Sequence, residues 1–514
     1  MKFNYPQKIL VILFIGFFIF ASTLIVNAEE DRFVVGQMAE VSGLHTLIEV
    51  DVYAFERINL INEPLTYIDH DLNIIPWLAT DWQLSDNAMR IEMDLREEVY
   101  WQHGREFVAE DVKYTYEWLL NEENPAANRD LYQSIENIEI IDDHEIVFHL
   151  NEPYAFLINN MARVGIIPYD YHEDVGYEEF GQEPIGTGPY MHDEWRSADF
   201  HILTAFEDYW GGTPNFNEIE FRPIPEDSSR LLAFEAGELD ASRGVVSDEL
   251  ARLEEDPGVI VSRAPAAGYN YVGINQDSDL NPDVTQNEYF REALAYLVDR
   301  EAIVDEVQGG QGYPGKSQIV TSMPHFNDEI DYPEYNFERA QDLINESGLE
   351  EGAEVKIFTF EDPGMSLNTE IIEYELSQVG IDAEVTIEEF GAFLDRIYDT
   401  NDYDLFLLGW TGQIDPDRAS YRQFHSEGSA NHVGFSNERM DELLEKGRMV
   451  DPTSEESIEI YKEVQEIIIN ENAKVFINYQ ESIDLIQPEF EGFATHPYGA
   501  NTWIQLVNDV VRVE

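Results

Sequence analysis

YDLFLLGWTGQIDPDRASY, residues 403–421, decides the reading of this chain. Leu405 to Leu408 is an unbroken apolar run of strand length, of the kind buried on both faces of a sheet. It stops at Gly409-Trp410-Thr411-Gly412, where two glycines let the backbone turn and approach its neighbours closely. Asp415-Pro416-Asp417 then fixes a turn, and a helix-like stretch follows. Such a strand delivers an indole, the carboxamide of Gln413 and two carboxylates to one rim, and open α/β sheets bind ligands at strand carboxyl ends. An ordinary strand exit carrying a core tryptophan is the alternative.

Moving outward, the second half alternates strand and helix. Phe290, Leu294, Leu297 and Val298 share a helical face. Val355–Phe360 predicts a strand, and Thr369–Val379 a helix stopped by Gly380. Ala383, Val385 and Ile387 alternate as a further strand. This is the rhythm of a wound α/β unit. In the first half, Phe33–Gly36 reads as a short strand, and Met89, Ile91, Met93 and Leu95 as a half-buried one. Asp111–Leu120 predicts a helix, and Ile138–Leu150 a hairpin turning at Asp142-Asp143-His144. No internal repeat and no low-complexity linker interrupts the series.

Length and charge set the bounds. At 514 residues the chain exceeds one ordinary core, so two or three domains are expected. Asp and Glu number 104 against 30 Lys and Arg, for a net charge of −74. Acidic disordered chains lack aromatics, whereas this one carries 29 Phe and 27 Tyr with its acids spread throughout. We read a folded protein exposed to concentrated salt, which screens the self-repulsion. Nucleic acid is excluded as a partner on charge. The absence of cysteine excludes disulfides, thiolate metal sites, thiol catalysis and a cysteine-linked lipid anchor.

Residues 1–28 predict an export segment: Lys2 and Lys8, an apolar run from Ile9 to Val26, then Val26-Asn27-Ala28 as a cleavage signal. Cleavage after Ala28 would leave Glu29 at the N-terminus, with the protein in a periplasm or cell-surface space. An uncleaved anchor is the alternative.

Catalytic and metal signatures are missing. The 12 histidines show no ligand spacing, Asp69-His70-Asp71 being the densest group, and neither nucleophile-elbow nor phosphate-loop patterns occur. Asp277, Asp279, Asn281, Thr285 and Glu288 follow a calcium-loop spacing, but Pro282 stands where the loop needs glycine, so a solvated loop is expected. No catalytic residue, metal or cofactor is assigned. A secreted hydrolase and a structural surface protein are the alternatives of another class.

Several stretches carry a family resemblance in the right order: PWLATDWQLSD (76–86), LREEVYWQHGREFVAEDVKYTYEWLL (95–120), PIGTGPY (184–190), YWGGTPNFNEIEF (209–221), YFREALAYLVDREAIVDEV (289–307) and GWTGQIDPD (409–417). With them the chain resembles the family 5 extracellular solute-binding proteins of ABC importers, the dipeptide, oligopeptide and nickel type. The resemblance implies a two-lobed periplasmic-binding-protein fold, type II, cluster C, with a discontinuous first lobe and an inserted domain. Lobe I would comprise 29–65, 185–270 and 485–514, the insertion 66–184, and lobe II 271–484. Hinge crossings fall near Ala267-Gly268 and Gln487-Pro488. It further implies a monomeric receptor that captures a peptide, or alternatively an oligosaccharide, and delivers it to membrane permease subunits.

The candidate ligand contacts are Trp410, Thr411, Gln413, Asp415, Asp417, Arg418, Tyr269 and Asn270. Peptide-binding relatives resemble G-W-x-x-D here, with the acid pairing the peptide ammonium, whereas this chain has Gln413. A carboxamide cannot neutralise an ammonium. Either Asp415 or Asp417 takes the role, or the ligand has no amine there. Tryptophan with amide partners would suit sugar rings, and Arg418 an anionic ligand.

The charge makes a first prediction. Thermal unfolding followed from about 0.1 M to about 3 M salt should show a rising midpoint, because screening shortens repulsion to about 3 Å near 1 M. A flat or falling midpoint would contradict the salt-adapted reading.

Overall fold

The computed structural model describes residues 32–513 apart from Asp86, Val246 and Gln413. The expected export segment 1–28, its cleavage after Ala28, and the Gln413 carboxamide lie outside these described residues.

Strand Leu405–Trp410 occupies the middle of one half of an 11-stranded mixed sheet. Ala353–Phe360 pairs with it in parallel on one side, and Ile260–Ile274 antiparallel on the other. Burial of Leu405 through Leu408 follows from this double flanking. Beyond Ala353–Phe360 the edge strand is Ile381–Glu388, also parallel. In the other direction, Ile260–Ile274 pairs with Lys474–Ile486, which pairs with Ala241–Arg243. Arg32–Gln37, Glu218–Pro223, Phe200–Ala205 and Tyr190–Arg196 complete the order.

The two long strands, Ile260–Ile274 and Lys474–Ile486, carry the sheet from one half to the other. Their register breaks between Pro265 and Tyr269. There the backbones crowd: a Cβ on Gly268 would lie 2.5 Å from Gln480 Oε1 and 2.9 Å from the Trp410 carbonyl. Only glycine fits that approach.

A separate four-stranded antiparallel sheet is built from Ala79–Leu84, Arg90–Leu95, Glu145–Leu150 and Ile135–Asp142, in that spatial order. Its hairpin turns at Asp143-His144, with Asp142 Oδ1 accepting the His144 N–H at 2.8 Å. Helix Ala109–Leu120 lays Val112, Tyr116 and Leu119 onto it, with the Tyr116 and Phe148 rings edge to face at 5.4 Å. Helix Pro363–Gln378 begins six residues before the sequence expectation of Thr369. Asp362 caps it by accepting the Met365 N–H, and Pro363 takes the first helical position.

Near the chain ends, residues 32–61 pack against 490–512. The Phe33 ring meets Phe490 at 4.9 Å and Trp503 at 6.2 Å, and Trp503 Nε1 donates to Glu56 Oε2 at 2.8 Å.

Glu63 ties the first half together. Fully buried, its Oε1 accepts from Trp77 Nε1 and Tyr209 OH, and its Oε2 from Thr187 Oγ1 and Trp210 Nε1, each at 2.8 Å. No cation bonds it among the described residues. Burial pushes its carboxyl up to about 7 despite the four donors. The PIGTGPY stretch reaches this site by close backbone approach, since a Cβ on Gly186 would overlap the Ile61 carbonyl.

This arrangement predicts a large effect from a small change. Each carboxylate oxygen faces one indole, so in Glu63→Gln the amide NH2 must point at an indole N–H in either orientation. Denaturant unfolding should show a loss of about 1–3 kcal/mol, the cost of one unsatisfied buried group. The raised carboxyl adds a sign: its stabilisation is complete below pH about 4.5 and is lost as pH rises through about 7. The gap between wild type and Glu63→Gln should therefore narrow as pH rises across that window. A substitution without cost, or a widening gap, would contradict this account.

Candidate functional site

Where the long strands cross, the chain encloses a cavity of about 540 Å³. Its wall draws on stretches far apart in sequence: Thr46 to Phe55, Ala127 to Tyr132, Arg163-Val164, Ala266-Ala267, Thr411-Gly412 with Arg418, Gln480 and Ser482, and Pro497 to Ala500. The Leu405–Trp410 strand positions part of it by running directly into Thr411 and Gly412. Asp415 then caps helix Pro416–Phe424, its Oδ1 accepting the Arg418 N–H at 2.6 Å, with Pro416 at the first helical position. That cap sets the angle at which Arg418 reaches the wall.

Charge at the wall runs opposite to charge in the chain. Three arginines, Arg163, Arg243 and Arg418, line the cavity against one carboxylate, Glu49. Arg243 is compensated: Nε lies 2.7 Å from Glu56 Oε1 and Nη1 3.1 Å from Asp484 Oδ1, both buried. Arg163 donates Nη2 to the Gly412 carbonyl at 2.5 Å, and its ring neighbour is Tyr498 at 5.8 Å. Arg418 is pushed down to about 10, by burial first and then by the Arg163 charge, with Asp415 opposing.

The residues singled out from sequence divide into two groups. Thr411 and Arg418 stand on the cavity wall. Gln413 lies outside the described residues, and the other five lie behind or beside the wall. Trp410 Nε1 donates to Tyr271 OH at 3.0 Å. Tyr269 is buried, its hydroxyl bonded to Gln423 Oε1 at 3.0 Å. Asn270 bonds Asn478 Oδ1 at 3.0 Å and accepts from Gln480 Nε2 at 3.3 Å. Asp415 is buried under its cap. Asp417 is buried 3.6 Å from Arg448 Nε, and burial pushes its carboxyl up to about 7.

Sequence reasoning missed Arg163, and a signal was present. Pro153 to Tyr169 holds no Asp or Glu, so Arg163 is the lone charge of that 17-residue stretch. Arg243, Gln480, Ser482 and Tyr498 carry no comparable mark.

At the calcium-loop spacing, Asn281 spends its Nδ2 on Asp404 Oδ2 at 2.7 Å, and Pro282–Thr285 forms a helical turn. Asp69 Oδ1 accepts the Asp71 and Asn73 N–H groups, closing a turn, and the His70 ring lies 4.4 Å from that of His496, tilted by 43°. Among the described residues no group of His, Asp or Glu is arranged to hold a metal ion, and no helix is long and apolar enough to cross a membrane.

The sequence pattern of the bacterial extracellular solute-binding proteins, family 5 Middle, matches residues 73–431. The chain belongs to that family. A family 5 solute-binding protein is a receptor, not an enzyme, and its relatives are extracellular or periplasmic. It is 24% identical to the dipeptide-binding protein of Escherichia coli K12 over 479 residues, 87% of this chain and 88% of that protein. It is 25% identical to the oligopeptide-binding protein AppA of Bacillus subtilis over 503 residues, 91% of each. Among solved structures, HbpA2 from Haemophilus parasuis superposes with a TM-score of 0.86 at 21% identity, covering 94% of this chain and all of that one. The mixed α/β fold is that of the family's periplasmic binding proteins.

Proposed function

We propose that this family 5 protein is the exported receptor of an ABC importer that captures a peptide in the 540 Å³ cavity and delivers it to a membrane permease. One observation carries the reading: the cavity sits where two long strands cross between halves of the sheet, with walls from both. Its volume lies within the range of about 300–1,000 Å³ usual for small-ligand sites. Relatives named for dipeptide and oligopeptide binding support peptide as the cargo.

On this reading, 29–65, 185–270 and 485–514 form one lobe, 66–184 the insertion and 271–484 the other lobe. The hinge is the register break at Pro265–Tyr269 together with the crossing at Gln487-Pro488. Ligand that touches both lobes stabilises their approach, because it binds that arrangement better than the separated one.

Calorimetric titration of ligand-free protein with di- to tetrapeptides and with oligosaccharides tests the cargo, and small-angle X-ray scattering tests closure. We expect peptide binding accompanied by a smaller radius of gyration. Binding of oligosaccharides alone, or of nothing in either series, would overturn the peptide reading. Binding without compaction would overturn the hinge.

A further inference from the structure

The cavity holds a charge arrangement that folding alone does not favour. Arg163 and Arg418 come from distant stretches and meet at one wall, yet neither forms an ion pair within 4 Å among the described residues. Arg163 Nε, Arg418 Nε and Arg418 Nη1 are buried with no acceptor there. Repulsion between them contributes to lowering the Arg418 guanidinium, and Arg422 adds to it. The group facing Arg418 with opposite sign is Asp415; the nearby Tyr154 hydroxyl is kept neutral by burial. Asp415 uses Oδ1 as a helix cap, while its Oδ2 is buried without a partner. Glu49, the one carboxylate on the wall, accepts from Ser42 at 2.8 Å. Buried charges are normally paired, and a chain with 104 acids had every opportunity to pair these. Both residues line the cavity with buried N–H groups that lack an acceptor, and the planar guanidinium fork matches the geometry of a carboxylate.

We infer that Arg163 and Arg418 form a subsite for a carboxylate of the ligand, so that the cargo is held by an anionic group and not by its ammonium. This rests on the peptide reading of the same cavity. The carboxylate is either the peptide's C-terminus or an acidic side chain. Arg163 belongs to the 66–184 segment and Arg418 to 271–484. Without ligand their like charges oppose the approach of the segments that carry them. A bound carboxylate reverses the sign, so capture of the anion and closure are the same event.

Calorimetry at fixed ionic strength with trialanine, its C-terminal amide and its N-acetyl form tests the inference, alongside Ala-Glu-Ala amide against Ala-Gln-Ala amide. If the C-terminus is the source, amidation of trialanine weakens binding by about tenfold to a hundredfold, the worth of a hydrogen bond to a charged group. N-acetylation then costs little. If a side chain is the source, the Glu peptide amide outbinds the Gln one by a similar factor. Indifference to both carboxylates, or loss on N-acetylation alone, overturns the inference while leaving the peptide reading intact.

Arg418→Met supplies a second readout. In ligand-free protein its unfolding midpoint should rise, because a repelling cation is gone, while affinity for the preferred carboxylate peptide falls by about tenfold or more. A lowered or unchanged midpoint makes the guanidinium a structural element and overturns the inference. Should no peptide in the series bind, the peptide reading fails, and the midpoint alone decides the cation pair.

Discussion

One buried carboxylate organises the first half of this molecule. Among the described residues no cation bonds Glu63, which is held instead by two indoles and two hydroxyls, each at 2.8 Å. Removing a carboxylate from water is costly, and the cost is met only if every lone pair finds a donor. That demand fixes where Trp77, Thr187, Tyr209 and Trp210 sit. Through them it joins the start of the small antiparallel sheet, the PIGTGPY turn and the YWGG loop, and it anchors the end of helix Val52–Ile61. The wall residues Thr46 to Phe55 lie on and just before that helix, so the cavity inherits its shape from this internal bond set.

The stretches that revealed the family in the sequence are therefore mostly structural. PWLATDWQLSD, PIGTGPY and YWGG are recognisable because the Glu63 site needs an indole, a hydroxyl and a glycine at set places. They report the fold and say little about cargo. The 403–421 stretch is different. Its apolar run, its glycines and its helix start were all legible, since strand burial, close approach and capping have local signatures. Which of its polar groups would face the ligand was not legible. Asp415 becomes a helix cap and Asp417 a partner of Arg448 through contacts that depend on tertiary packing. Arg163 stands out locally as the lone charge of an acid-free stretch, but the wall it joins lies about 250 residues away in sequence, which no local pattern encodes.

Charge in this protein is sorted by place. The surface carries the acids, and in salt they repel weakly and keep the molecule soluble. The cavity instead has cations, one neutralised by Glu56 and Asp484 and two without an ion pair among the described residues. A receptor with an acidic exterior and a cationic interior does not attract anions from a distance, since the exterior repels them and salt screens the field of the interior. It recognises them only on contact, where a partly buried pair of guanidiniums is screened far less than surface charge.

The central claim is that the cavity holds a peptide by an anionic group. Mass spectrometry of material released by mild denaturation from protein purified out of its native source tests it most directly. The account predicts short peptides with a free C-terminal or side-chain carboxylate, near one per protein molecule. Recovery of neutral oligosaccharides, or of peptides uniformly blocked at every carboxylate, would contradict it.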